Sequence, residues 1–241
     1  MKKGLNGFQL KIIAISLMVI DHTGALFFPE ILVFRIIGRL SFPLFAFFIV
    51  EGFQHTRSVK KYLIRLGACA ITFQIPDWFS SIYGKLTINP LFGVHYVLNI
   101  FATLFLGLAA IALFHKSKSK SNAMAWAAAI LMAVLAQVTG ADYGAYGVMY
   151  VLTFYLAGTD IKSLLMGTVV LHTAYAGFDM ITGLIRTGNA SFPHAIQLYS
   201  MASVFLIAMY NGEQGRKLKF FFYAFYPAHM IILYLIDAIL R

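Results

Sequence analysis

Nine mostly apolar runs, separated by short polar segments, organise this chain: 8–28, 32–53, 62–81, 96–114, 123–140, 143–158, 162–180, 195–210 and 219–240. A helix needs about 20 apolar residues to cross a bilayer. Inside hydrocarbon a helix satisfies its own backbone hydrogen bonds, whereas an isolated strand does not. The pattern therefore predicts an all-α, polytopic integral membrane bundle of about nine transmembrane helices. The break between the fifth and sixth runs, Thr139-Gly-Ala-Asp142-Tyr-Gly-Ala-Tyr-Gly147, reads either as a tight outer turn or as a re-entrant loop. No long linker, internal repeat or shift in composition divides the chain, so residues 1–241 read as a single domain.

Composition agrees with this picture. Hydrophobic residues make up 60% of the chain and charged residues 12%, against about 45–50% and 25% in soluble domains; the mean hydropathy is +0.79. The net charge of +10 could be taken for a nucleic-acid surface, but its distribution gives a simpler account. Lys2 and Lys3 precede the first run, and Arg57, Lys60 and Lys61 follow the second. Lys116, Lys118 and Lys120 follow the fourth, Lys162 the sixth, and Arg216, Lys217 and Lys219 the eighth. The other loops hold scattered charges such as Glu30, Lys85 and Arg186. This is positive-inside patterning. It predicts a cytoplasmic N-terminus, an odd number of crossings and residence in the cytoplasmic membrane. The start, Met1-Lys2-Lys3 before an apolar run, resembles a signal peptide but lacks a small-residue cleavage site, so it reads as a retained helix. Cys69 is the only cysteine, so neither a disulfide nor a cysteine-based metal site is implied, and no metal is expected.

Against this apolar background the ionisable residues are the candidates for chemistry, because a charge at a helix centre costs about 2.5–3.5 kcal/mol on insertion scales. Asp21 and His22 sit side by side inside the first run. Lys11 lies eleven residues before His22, which is three helical turns plus about 20°, so the two share a face about 16 Å apart. Asp21 points about 100° away from His22. Arg35 and Arg39, spaced i, i+4 on the second run, come to a similar depth, and either is a partner for Asp21. His22 is then left as a candidate general base. Glu51 and His55 end the second run near the level of Lys11. Further polar candidates are Asn99 and Thr103 on the fourth run, Asp142 and Tyr143 at the outer break, Gln197 on the eighth run, and His172 and His229 near mid-membrane. Simpler readings stand beside these. The arginines can snorkel or form a structural ion pair with Asp21, a lone membrane histidine can serve helix packing, and the aromatic run 220–226 fits an interfacial belt. Phe42-Pro43 and Tyr226-Pro227 are sites where helices can kink.

The residues carry a resemblance along the whole chain. Leu10–His22, Leu26-Phe-Phe-Pro29, the segment from Arg35 through Arg39 and Phe42-Pro-Leu-Phe45 to Glu51-Gly-Phe53, and His55-Thr-Arg57 resemble the TraX family. So do Lys60-Lys-Tyr-Leu63, Gln74-Ile-Pro76, Asn99-Ile-Phe-Ala-Thr-Leu104, Ala141-Asp-Tyr-Gly144, Tyr210-Asn-Gly212 and Phe225-Tyr-Pro-Ala-His229. The resemblance implies a membrane acetyltransferase associated with N-terminal acetylation of a conjugative pilus subunit. It also implies kinship with a superfamily of integral-membrane acyltransferases that place an arginine and a histidine eleven residues apart on the first helix. Lys11 and His22 stand at that spacing, with lysine in place of arginine, so the charge is kept and bidentate phosphate recognition is lost.

Acyl transfer needs a base, oxyanion stabilisation and a held donor. On that expectation Lys11, with Glu51 and His55, lies at the phosphate end of acetyl-CoA or another acyl-CoA. The roughly 16 Å from Lys11 to His22 suits a pantetheine arm. His22 takes the acceptor's proton, and Asp21, Arg35 and Arg39 supply electrostatic support. Asn99, Asp142, Tyr143, Gln197 and His229 are the expected acceptor-binding set, the acceptor being a peptide, glycan or lipid with an amine or hydroxyl. No Ser or Cys nucleophile stands out, which favours direct transfer, with a transient acyl-histidine as the other route. The competing classes are a transporter that uses the buried Asp, His and Arg and a non-catalytic scaffold. The lack of an internal repeat weighs against the transporter.

Overall fold

The computed structural model describes residues 4–83, 98–190 and 195–240. Lys2, Lys3, Lys85 and the first residues of the 96–114 run lie outside them. The described chain is helical, and among the described residues no strand forms beyond two isolated bridges, Leu5 with Tyr210 and Leu98 with Ala141. The helices are α1 (Gly7–Phe27), α2 (Leu32–Gly38), α3 (Ser41–His55), α4 (Val59–Tyr83), α5 (Ile100–Lys118), α6 (Asn122–Val138), α7 (Gly144–Ala157), α8 (Ile161–Thr187), a 3₁₀ helix (Ala195–Ala202), α9 (Ser203–Ala208) and α10 (Lys219–Leu240).

Among the described residues five segments are long and apolar enough to cross a membrane: Gly7–Phe27, Leu32–His55, Ile100–Lys118, Ile161–Ile185 and Phe221–Leu240. The other expected crossings differ in kind. The 62–81 run lies in α4, whose sequence carries Lys60, Lys61, Arg65 and Asp77. The 123–140 run is a helix of 17 residues and the 143–158 run one of 14. At 1.5 Å per residue these span about 25 and 21 Å, short of a hydrocarbon core of about 30 Å. The 195–210 run divides into the 3₁₀ helix and α9.

The second run breaks at Arg39–Leu40, between α2 and α3. Pro43 accounts for this, since its ring excludes the carbonyl of the residue four positions earlier, Arg39, from a continuous helix. The break between α6 and α7 is a tight turn over Thr139–Tyr143, tied down by the Leu98 N–H to the Gly140 carbonyl and the Asp142 N–H to the Leu98 carbonyl. Its last residue, Tyr143, adopts a left-handed φ of 63°.

The described chain forms two compact units, one built from Met1–Phe45 and Thr159–Arg241, the other from Ala46–Gly158. In the second unit, small residues let α5, α6 and α7 approach closely. Ala102 and Ala110 of α5, Ala133 and Ala136 of α6, Ala141 of the turn and Val148 of α7 form its core. A groove of about 330 Å³ between Gly67, Phe105 and Leu135 in this unit has only apolar lining atoms. In the first unit, α1 and α2 form an antiparallel hairpin around Phe28–Ile31. Gly24 of α1 lies against Phe34 and Gly38 of α2 against Asp21, and a methyl group at either glycine would overlap its neighbour. Asn6 caps α1 in a reciprocal box with Gln9. Asp160 caps α8, and hydrogen bonds from the Ser163 N–H and hydroxyl hold its carboxyl below the usual carboxylate range. Leu5–Gly7 pairs with the backbone of Met209–Glu213, so the start of α1 and the loop carrying Arg216 and Lys217 sit at one end of the unit. Phe8 and Lys11 meet Phe222, and His22 meets His229; α1 and α10 therefore run in the same direction.

Candidate functional site

Asp21 is the centre of a buried ion cluster. Its Oδ2 accepts from Arg35 Nη1 at 2.9 Å and from Arg39 Nη2 at 2.5 Å, and Arg35 Nη1 also reaches the Asp21 carbonyl at 3.2 Å. The pairing anticipated with Arg35 or Arg39 is made with both. The geometry follows from the hairpin: Gly38 has no side chain, so the carboxylate packs directly on α2, and Oδ1 lies against Gly38 with no hydrogen-bond partner among the described residues. The Asp21 and Arg39 side chains are 8% and 6% exposed, and Arg35 is 16% exposed. One carboxylate thus faces two guanidinium groups, on the residue next to His22.

One residue along α1, His22 turns to a different neighbour. Its Nδ1 lies 2.8 Å from Nε2 of His229 on α10, with the ring planes only 9° apart. His229 is itself held on several sides. Its Nδ1 donates to the Phe225 carbonyl at 3.0 Å, the Phe225 ring is parallel to it at 5.4 Å, and the Tyr226 ring meets it edge-on at 5.8 Å. Lys11, half-buried and near the start of the same helix, places Nζ 5.8 Å from the centre of the Phe222 ring. Phe222 and His229 are seven residues apart on α10, two turns of one face. The shared face expected for Lys11 and His22 is therefore the face α1 turns to α10.

The remaining candidates fall elsewhere. Glu51 and His55 belong to the second unit, where His55 Nδ1 bonds the Glu51 carbonyl at 2.9 Å. Asn99, in the same unit, caps α5 by accepting from the Phe101 N–H, and its amide donates to the Ala70 carbonyl. That side chain serves the fold at both ends. Also in the second unit, the Asp142 carbonyl accepts from the Thr103 hydroxyl, and Tyr143 stacks on Tyr146 at 6.4 Å. Gln197, in the first unit, offers its backbone carbonyl to His172 Nε2 at 3.0 Å, while Oε1 is buried with no hydrogen-bond partner among the described residues. His172 also bonds the Thr168 carbonyl and the Ser200 hydroxyl, which fits a packing role between α8 and the 3₁₀ helix. His229 was anticipated among the acceptor-binding residues, yet it contacts the candidate base itself. The recurrence of a mid-membrane histidine two residues after Pro227 was the available signal, but the depths counted from sequence do not say which helices are neighbours. Gly38 gave no signal of its own. Among the described residues no group of three His, Cys, Asp or Glu side chains could hold a metal ion.

A membrane-type helical protein with a charged and histidine-bearing site on its first, second and last helices is the class these features define. The family model described as TraX protein matches residues 6–237, and the chain belongs to the TraX family. A probable fimbrial assembly protein, FimC of serogroup H1 from Dichelobacter nodosus, is 28% identical over 241 residues, covering 95% of this chain and 94% of its own length. The uncharacterized protein RP591 of Rickettsia prowazekii (strain Madrid E) is 24% identical over 214 residues, covering 87% of this chain and 80% of its own. No solved structure matches the chain.

Proposed function

We propose that this protein is an integral-membrane acyltransferase that moves an acyl group, in the simplest case acetyl, from acyl-CoA on the cytoplasmic side to an amine or hydroxyl of an acceptor at the membrane. The observation that carries the reading is the union, on one pair of adjacent residues, of a histidine held by its Nδ1 and a carboxylate bound by two guanidinium groups. In this reading His22 Nε2 takes the proton as the acceptor attacks the thioester carbonyl. The tetrahedral oxyanion forms next to the Asp21–Arg35–Arg39 cluster, and collapse expels the CoA thiolate, which recovers a proton. The acceptor thus gains the acyl group and loses one proton. Preorganised positive charge at a developing oxyanion is commonly the largest catalytic contribution. Lys11, about 16 Å along the same helix face, binds the anionic end of the donor.

The reading extends to topology: about nine crossings in the cytoplasmic membrane, as one integral domain with the N-terminus cytoplasmic and the C-terminus outside. The loop charges support it, as do the parallel run of α1 and α10 and the position of Arg216 and Lys217 beside the start of α1. It also takes the chain as a relative of the wider integral-membrane acyltransferase superfamily. The name of the Dichelobacter relative links that protein to fimbrial assembly; together with the pilus-subunit acetylation that the TraX resemblance implies, this makes a fimbrial subunit's N-terminal amine the proposed acceptor.

The test is to incubate purified protein with labelled acetyl-CoA and a membrane extract and to identify what becomes labelled. The wild type labels an acceptor and His22→Ala does not, while still inserting. Undiminished labelling by His22→Ala would overturn the reading.

A further inference from the structure

The contact between His22 and His229 fixes more than distance. The atom facing His229 Nδ1 at 3.0 Å is the Phe225 carbonyl oxygen, which can only accept, so that nitrogen carries a hydrogen. A neutral His229 then presents a bare lone pair at Nε2. The atom 2.8 Å from that lone pair is His22 Nδ1, which must therefore be the donor. The proton of a neutral His22 is thereby committed to Nδ1, and Nε2 is left with its lone pair. In the reverse arrangement His22 Nδ1 would accept and His229 would donate from both nitrogens, as an imidazolium. That cation would be 5% exposed, facing only an imidazole lone pair and a backbone carbonyl, while the Asp21 carboxylate is turned to Arg35 and Arg39. A buried imidazolium without a carboxylate at either nitrogen is strongly disfavoured.

We propose that His229 is a positioning residue that sets the tautomer of His22 through the chain Phe225 carbonyl, His229, His22, so that His22 Nε2 is permanently the proton-accepting nitrogen. Without an acceptor at Nδ1, a neutral histidine divides its proton between both nitrogens, and the fraction carrying it at Nε2 cannot act as a base there. The arrangement has the logic of a catalytic triad, in which a third group holds the imidazole in its working tautomer, here with a neutral ring in place of a carboxylate. The stacked Phe225 ring and the edge-on Tyr226 ring keep His229 from rotating out of line. The consequence for turnover rests on the acyltransferase reading; the tautomer itself does not.

The experiment follows the ring nitrogens directly. Protein labelled with ¹⁵N-histidine is placed in lipid nanodiscs, and the His22 signals are assigned by their loss in His22→Gln. The wild type should show His22 protonated at Nδ1 and bare at Nε2. His229→Leu should shift His22 toward the Nε2–H form. His229→Gln, which can present an amide oxygen where His229 Nε2 stands, should keep the wild-type pattern. A wild-type His22 protonated at Nε2, or a pattern unmoved by His229→Leu, overturns the proposal. In the acyl-transfer assay His229→Leu should lower kcat by about 10²-fold, less than the roughly 10⁴-fold seen where a triad carboxylate is neutralised. The KM for acyl-CoA should change little, and His229→Gln should recover most of the activity. If the nitrogen signals behave as expected while neither His22 nor His229 affects transfer, the tautomer assignment stands and the catalytic reading of His22 falls.

Discussion

Removing Asp21 should harm this protein far more than removing either of the cations it holds. The cluster contains one carboxylate and two guanidinium groups, a net charge of +1. Asp21→Asn keeps the shape but raises that charge to +2, and Arg39, 6% exposed, cannot recover hydration without disrupting the α1–α2 hairpin. Breaking a buried pair in this way costs about 3–5 kcal/mol, because the guanidinium loses its carboxylate while it stays desolvated. Arg39→Met instead leaves Asp21 paired with Arg35 at 2.9 Å, a neutral unit. The variant loses its charge-assisted hydrogen bond to Asp21, about 1.5–3 kcal/mol, offset in part because a desolvated guanidinium is replaced by an apolar side chain that matches its aliphatic stem. A net cost of about 0–2 kcal/mol follows, so the two variants should differ by roughly 3 kcal/mol. Equilibrium unfolding in mixed micelles measures both. If Arg39→Met is as destabilising as Asp21→Asn, then charge compensation is not what Asp21 supplies. The activity assay separates a second aspect: Arg39→Met should remain folded yet lose about 10²–10³-fold in kcat if the cluster stabilises an oxyanion.

Lys11→Ala should raise the KM for acyl-CoA by about 5–10-fold with kcat nearly unchanged, the signature of uniform binding lost; an unchanged KM would remove Lys11 from the donor site. Gly38→Ala pushes a methyl group into the Asp21 carboxylate and should cost about 1–3 kcal/mol and most of the transfer activity without altering any charge. A neutral effect on both in the same unfolding and transfer assays would show that the carboxylate can shift freely. Tyr143→Gly removes a non-glycine residue from a left-handed conformation and should stabilise the protein by about 1 kcal/mol. Failure to do so in thermal unfolding would mean that the ring contact with Tyr146 outweighs the strain.

The sequence was informative where periodicity and depth decide the outcome. Three turns between Lys11 and His22 put both on one face of α1, and the 100° offset of Asp21 sent it to Arg35 and Arg39. Those relations depend only on helix geometry within one hairpin. Element lengths were less legible. The 123–140, 143–158 and 195–210 runs have the apolar character of crossings, but hydropathy does not register that α6 stops at Val138, that Gly144 starts a new helix, or that 195–202 winds as a 3₁₀ helix. The contact of His22 with His229 could not be read at all, because it joins the first helix to the last, 207 positions apart, and nothing in either segment names the other as its neighbour. Asn99 was misleading for a related reason. An Asn at membrane depth looks like a binding group, whereas its position just before Ile100 makes it the N-cap of α5, a use that its place at the start of an apolar run also fits.

The two groups on adjacent residues of α1 divide the electrostatic work of the proposed reaction. A base that abstracts a proton becomes cationic, and the guanidinium groups of Arg35 and Arg39 nearby oppose that step in the ground state. The opposition vanishes once the oxyanion forms, because the new negative charge compensates the cluster at the moment the imidazolium appears. Proton removal from a resting acceptor is therefore disfavoured and proton removal coupled to attack is favoured. This is differential stabilisation of the transition state over the bound substrates. The same reasoning explains why a neutral His229 suits the position opposite His22 better than a carboxylate would. A carboxylate there would pair with the imidazolium before attack and would also cancel the positive charge reserved for the oxyanion. A neutral ring fixes the tautomer and leaves that charge in place.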